Sequence, residues 1–263
     1  MLYLFRLILA IVLVPSLFSE GHEKKTGLIL VISSHNQTVY NSHRESWRRY
    51  MHAFEKDFES YFIEFDPHLQ QPYTLEGDTL KMRGEESIVP GVLDKTLLAL
   101  KYFENRFDQF EFVIRPNLSS FLVYPRLKKY LKRQQKEKFY GGYPLFFPDY
   151  EGIEGNLLNF GSGSCPIFSI DLAKYLVSCA EFYIGVPDSK YNADDLLLAK
   201  AIKETGGILT PFESCFIEKF VSPYRVVPLT SKEIFHFRIK LPLNVRHILE
   251  RKVHRELYEI FYE

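Results

Sequence analysis

Two polar clusters in this 263-residue sequence follow directly on apolar runs. In "GLILVISSHNQT", Ser33 and Ser34 come after Leu28 to Ile32. In "FVIRPNLSS", Arg115, Asn117 and Ser119 come after Phe112 to Ile114. A continuous apolar run reads as a strand covered on both faces. In open parallel sheets, ligands bind in the crevice beyond the carboxyl ends of the strands. If the two strands are neighbours, these five residues surround one cleft. An arginine there is a natural partner for phosphate, because its planar fork gives two charge-assisted hydrogen bonds. An arginine at a strand end equally suits a buried carboxylate, and residue type alone does not choose between them. Asp194 and Asp195 raise a similar choice. Two acids opening a helix are ordinary partners of its N-terminal dipole, yet a carboxylate projecting into a sugar cleft can also take a proton from an attacking hydroxyl.

Other chemistries are missing from the sequence. "GSGSCPIFS" lacks the Gly-x-Gly-x-x-Gly pattern, and no Gly-Lys-Ser/Thr follows, so it is not a P-loop. Gly161, Ser162 and Gly163 read instead as a tight backbone turn beside a ligand. His-Glu-x-x-His and Gly-x-Ser-x-Gly are both absent. Cys165, Cys179 and Cys215 have no metal-ligand spacing, and an exported chain allows them one disulfide. Lysine plus arginine equals aspartate plus glutamate, 33 each, so no basic field points to a nucleic-acid partner.

The elements that must position these residues follow from periodicity. The first strand leads into "NSHRESWRRYMHAFEKDF", with Trp47, Met51, Phe54 and Phe58 in a helical stripe, and then into the strand "SYFIEFD". Strand, helix, strand is the unit of a parallel α/β sheet. Residues 67–90 read as loop, and "GVLDKTLLALKYFENRF" as an amphipathic helix. "YPRLKKYLKRQQKEK" reads as a basic helix with a solvated face, and residues 140–164 as irregular or short-strand structure. Ser169 and Asp171 mark one helix start, Asn192, Asp194 or Asp195 another, and "IFHFRIK" alternates like a strand. No linker or repeat divides the chain, so residues 26–263 form one domain. Residues 1–19 read as a signal peptide or signal anchor. The protein is therefore expected to be exported or membrane-anchored, with membrane association through its N-terminus. That means the Golgi or ER lumen if the source is eukaryotic or viral, and the periplasm or envelope if it is bacterial.

Taken in order, several segments resemble the beta-1,3-galactosyltransferase and Fringe-type glycosyltransferases, in a divergent branch. "LILVISSHNQTVYNSHRESWRRY" resembles that family's opening strand and Arg-x-x-Trp helix, here Arg44 to Trp47. "EESIVPGVLDKTLLALKYF" is similar to its Leu-x-x-Lys-Thr helix, with Lys95 and Thr96 matching. "FVIRPNLSSFLV" falls at its Asp-Asp-Asp strand, "FGSGSCPIFSIDLAKYL" at its Ser-Gly-x-Gly-Tyr segment, and "ADDLLLAKAI" at its acidic motif. The resemblance spans Gly27 to about Lys240. It implies a GT-A fold, a Rossmann-like, mostly parallel central sheet flanked by helices. It implies inverting transfer of a hexose or N-acetylhexosamine from a UDP-sugar donor to a glycan, glycoprotein or glycolipid hydroxyl. Carried over, Ser33, Ser34 and Arg44 lie near the nucleotide and Lys95 lies under the donor. Arg115, Asn117 and Ser119 line the diphosphate region. Asp195, or else Asp194, is the general base.

The family's third acid holds a divalent cation, usually manganese, and here Ser119 stands in its place. A hydroxyl is a poor ligand for a hard cation. His236 supplies at most one further ligand. Three readings stay open. The enzyme is metal-independent and uses Arg115 or Lys95, or it holds Mn²⁺ through the substrate's own oxygens. Otherwise it is a non-catalytic nucleotide- or carbohydrate-binding protein on a degenerate fold.

Overall fold

Leu28 to Ile32 are all buried, and they alternate between two cores. Leu28, Leu30 and Ile32 point into one, Ile29 and Val31 into the other. Full burial stabilises each such side chain by about 1.5–3 kcal/mol, and only a strand covered on both faces collects that along its whole length. This strand is β1 (Lys25–Ile32), the middle of the main sheet in a computed structural model that describes residues 23–34, 38–148, 157–187, 193–242 and 246–263.

The chain then runs through α1 (Thr38–Arg48), a 3-10 turn at Met51–Phe54, and β2 (Phe58–Phe65). The Trp47 stripe thus ends its α-helix earlier than its spacing suggested. Residues 67–90 are not all loop. They hold the hairpin β3 (Tyr73–Glu76) and β4 (Thr79–Met82), which finishes one edge of the sheet. β3 is partly exposed and β4, though mostly buried, is only four residues long, so neither carries a readable apolar pattern. Next come α2 (Gly91–Phe103), β5 (Phe110–Ile114), β6 (Ser120–Leu122) and α3 (Tyr124–Leu131). α3 stops well short of the basic run's end. After it come β7 (Phe139–Gly142), β8 (Pro144–Phe147), β9 (Leu158–Gly161) and β10 (Ile167–Ser169). The remainder is α4 (Ile170–Ser178), α5 (Asp194–Glu204), β11 (Ile208–Pro211), β12 (Ser214–Ile217), α6 (Pro223–Val226), β13 (His236–Ile239) and α7 (Arg246–Tyr262).

Among the described residues the main sheet has eight strands, in the order β11-β7-β10-β5-β1-β2-β4-β3. β5, β1, β2 and β4 run parallel, and β10 runs against β5 and β7. Helices α2, α4 and α5 cover one face, while α1, α3 and α7 cover the other. The protein is thus a mixed, mostly parallel α/β domain with helices on both faces. A second sheet, β12-β13-β6, packs beside the end of β5. The three cysteines are free, contrary to the disulfide the sequence allowed. Cys165 and Cys179 belong to the cores on opposite faces of the sheet, too far apart to join. No described helix is long and apolar enough to cross a membrane, and the 1–19 segment lies outside the described residues.

Candidate functional site

The connection from β1 goes outward to β2 through α1. The connection from β4 comes back through α2, on the other face, to β5 on the far side of β1. The direction of winding therefore reverses between β1 and β5, and such a switch point opens a crevice at the strand ends. The polar cluster after β5 stays tied to β1. Ile32 N–H donates to Pro116 O at 2.9 Å, and Leu118 N–H donates to Ile32 O at 3.0 Å. The chain then turns, Ser120 N–H to Asn117 O at 2.9 Å, and leaves as β6 in the second sheet. Trp47 braces this turn from behind, its buried Nε1–H donating to Leu118 O at 2.9 Å.

A cavity of about 470 Å³ opens at this point. Ser33, Ser34, Asn117 and Ser119 line it, as the sequence suggested, and so does Lys95. Lys95 Nζ donates to Ser33 O at 2.7 Å and to Glu86 Oε2 at 2.6 Å, and burial pulls its ammonium below the ordinary lysine pKa. Arg44 lies behind the end of β1. It pairs with Glu64 and Asn41 and donates to Ser33 Oγ at 3.2 Å and Ser34 O at 3.0 Å. It is not part of the cavity lining.

Two expected placements are corrected by the packing. Arg115 is fully buried and is not part of the cavity lining. Its Nη2 donates to Asp194 Oδ2 at 2.8 Å and its Nη1 to Gly163 O at 3.0 Å. Strand parity is the reason: Arg115 shares a face with Val113, toward the core under α5, and a carboxylate there compensates its charge. His236 is buried with Nδ1 at 2.7 Å from Ser214 Oγ and Nε2 at 2.9 Å from Ser120 Oγ, and burial lowers its pKa to about 3. With both nitrogens committed to hydroxyls, it offers nothing to a metal. Gly161 is needed for packing: a Cβ there would lie 3.0 Å from Gly142 Cα.

Asp195 also lies outside the cavity lining. Its Oδ2 accepts from Gly163 N–H at 3.1 Å and its Oδ1 from Leu196 N–H at 3.1 Å. Burial, and after it the Asp194 charge, holds its carboxyl above the ordinary value. Gly163 gives the two acids room, since a Cβ would sit 3.1 Å from Asp194 Oδ2. The Ser162–Ser164 loop connects this acidic pair to the cavity wall, because Ser164 O accepts from Asn117 N–H at 2.9 Å and from Ser120 Oγ at 3.3 Å.

Arg238, Lys240 and Arg246 were missed as site residues, and all three line the cavity. The alternation in "HFRIK" does put Arg238 and Lys240 on one face of β13, opposite Phe237 and Ile239. Nothing in the sequence says that β13 lies beside β6 and hence beside the end of β5. Arg238 Nη1 donates to Ser119 Oγ. Burial lowers its pKa to about 10, which leaves it charged at neutral pH. Arg246 Nε donates to Glu250 Oε1 at 2.8 Å. Among the described lining residues there are thus four cations and a single carboxylate, Glu86. Glu86 is already bound to Lys95 and to Phe65 N–H at 2.8 Å. That donor set does not fit a manganese ion. A hard cation takes oxygens, carboxylates above all, and here it would meet cations and one committed acid. No cluster of three metal-ligating side chains occurs among the described residues.

The fold and cavity define an α/β protein with a crevice lined by four cationic side chains at a sheet switch point. No family model matches the chain, and no curated protein matches it. Among solved structures it is similar to the crystal structure of a glycosyltransferase involved in the glycosylation of the major capsid of PBCV-1. The identity is 12%, over 81% of this chain and 93% of that one, with a TM-score of 0.46. Similarity at that level transfers no residue's role to this chain.

Proposed function

We propose that the protein is an inverting glycosyltransferase that takes a hexose or N-acetylhexosamine from a UDP-sugar to an acceptor hydroxyl. One observation carries this reading: the cationic crevice at the β1/β5 switch point, where Ser33, Asn117, Ser119, Lys95 and Arg238 converge. A nucleoside diphosphate is the ligand class that suits such a crevice. The ordered motifs from Arg44 to Asp195 support the same reading. In the transfer, the acceptor oxygen bonds to the sugar's anomeric carbon and its proton goes to a carboxylate. The bond to the diphosphate breaks, and its electron pair stays on the phosphate oxygen. Asp195 is the better candidate base, because Asp194 is committed to Arg115 and a carboxyl held above its ordinary pKa is the stronger proton acceptor.

A second reading is a nucleotide-binding protein without turnover. It is favoured by Asp195 lying outside the cavity lining. Thermal denaturation with UDP, UDP-sugars and uridine tests the binding. A ligand at a hundred times its Kd stabilises by about 2.7 kcal/mol, roughly 5–10 °C for a domain of this size. The reading fails if no UDP compound shifts the midpoint. Sugar release or transfer that disappears in a folded Asp195→Asn variant supports catalysis, and full turnover in that variant removes Asp195 as the base.

A further inference from the structure

The cavity's charges are unevenly compensated. Lys95 is matched by Glu86 at 2.6 Å, and Arg246 by Glu250 at 2.8 Å. Among the described residues no carboxylate lies within ion-pair distance of Arg238 or Lys240. Arg238 is held by Ser119 through its hydroxyl. That serine is the residue standing where the family resemblance places a metal-binding acid, so a fixed guanidinium lies beside the position the metal would take. Arg238 comes from β13 and Ser119 from the turn after β5, so the two sheets must dock to make this contact.

We propose that Arg238, with Lys240 at the cavity mouth, forms a metal-free diphosphate subsite, with the protein supplying the cation that neutralises the phosphates. The guanidinium presents a planar fork to phosphate oxygens, and burial strengthens its hydrogen bonds. Lys240 is exposed and adds a mobile point charge. Glu250 and Arg246 have a positioning part. Glu250 Oε1 also accepts from Leu241 N–H at 2.8 Å, which ties the end of β13 to α7 and sets where Arg238 and Lys240 stand. This inference rests on the proposed function only in taking the diphosphate to belong to a nucleotide.

The test is calorimetric titration of the full chain with UDP, inorganic pyrophosphate and uridine, in EDTA and again in manganese. UDP and pyrophosphate are expected to bind in EDTA, with little change on adding manganese, and with affinity that falls as salt rises. Arg238→Gln is expected to weaken UDP by about tenfold or more, the loss of a hydrogen-bonded charge. Because Arg238 is packed inside, exposed Lys240→Gln serves as the variant that leaves folding intact, with a severalfold loss. UDP binding that needs manganese overturns the inference and leaves the glycosyltransferase reading standing. Parental affinity in both variants also overturns it. Pyrophosphate that binds in EDTA as tightly as UDP supports the anion subsite and counts against the nucleotide-sugar reading. Absence of binding under every condition overturns both.

Discussion

Removal of the Asp194 carboxylate strands the Arg115 guanidinium. That guanidinium has no exposed surface, and Asp194 is the partner that balances its charge. Breaking one side of a buried pair costs about 3–5 kcal/mol, mostly from the charge left unmatched. Two features set Asp194→Ala at the lower end. Arg115 keeps its 3.0 Å bond to Gly163 O, and the Asp194 side chain is 23% exposed, so water reaches the gap. About 3 kcal/mol is therefore expected, which lowers Tm by roughly 6–12 °C in a domain of this size. Urea unfolding at neutral pH measures it, with the midpoint shifting at constant m. An Arg115→Met, Asp194→Leu double variant is expected to recover most of the loss, because no charge is left buried. A loss below about 1 kcal/mol for Asp194→Ala is what an exposed pair gives, and it would refute the buried pairing. Arg115 would then be free to face the cavity after all.

Two further perturbations read other parts of the structure. His43, His236 and His254 are buried with pKa values held down by burial, that of His236 to about 3. Below the unfolded value of 6.5 the unfolded chain takes up protons that these folded groups refuse. Their stabilisation is present above that pH and is lost as pH falls, at up to about 1.4 kcal/mol per pH unit for each histidine. The urea midpoint should drop steeply from pH 6.5 to 5, and less steeply in His254→Phe; a flat profile contradicts the burial of these rings. Trp47→Phe removes the donor to Leu118 O and is expected to cost about 2 kcal/mol or more. Because that turn is the cavity wall, UDP affinity should fall with it, and unchanged affinity would show that the wall does not depend on Trp47.

Much of the frame was legible from residue order. The run Leu28 to Ile32 has no polar position, so only a strand covered on both faces satisfies it, and the spacing of Leu93, Leu97, Leu100 and Phe103 fixes a helix. The crevice residues after β1 and β5 were legible too, because the chain must turn polar where a parallel strand leaves the sheet. The hairpin β3–β4 was not, since each strand is four residues long and the edge strand β3 faces water, which leaves too short an apolar pattern. Local chemistry likewise named Arg115, Asp194 and Asp195 as reactive types but did not assign their partners. Arg115 and Asp194 are 79 positions apart, and strand parity with the docking of α5 made them a pair. Arg238 reached Ser119 across 119 positions because β13 lies against β6. Sequence fixes which segments bury apolar surface, a property of each segment alone. Which charges meet depends on how those segments dock, and so the cation at the crevice emerged only in the tertiary structure.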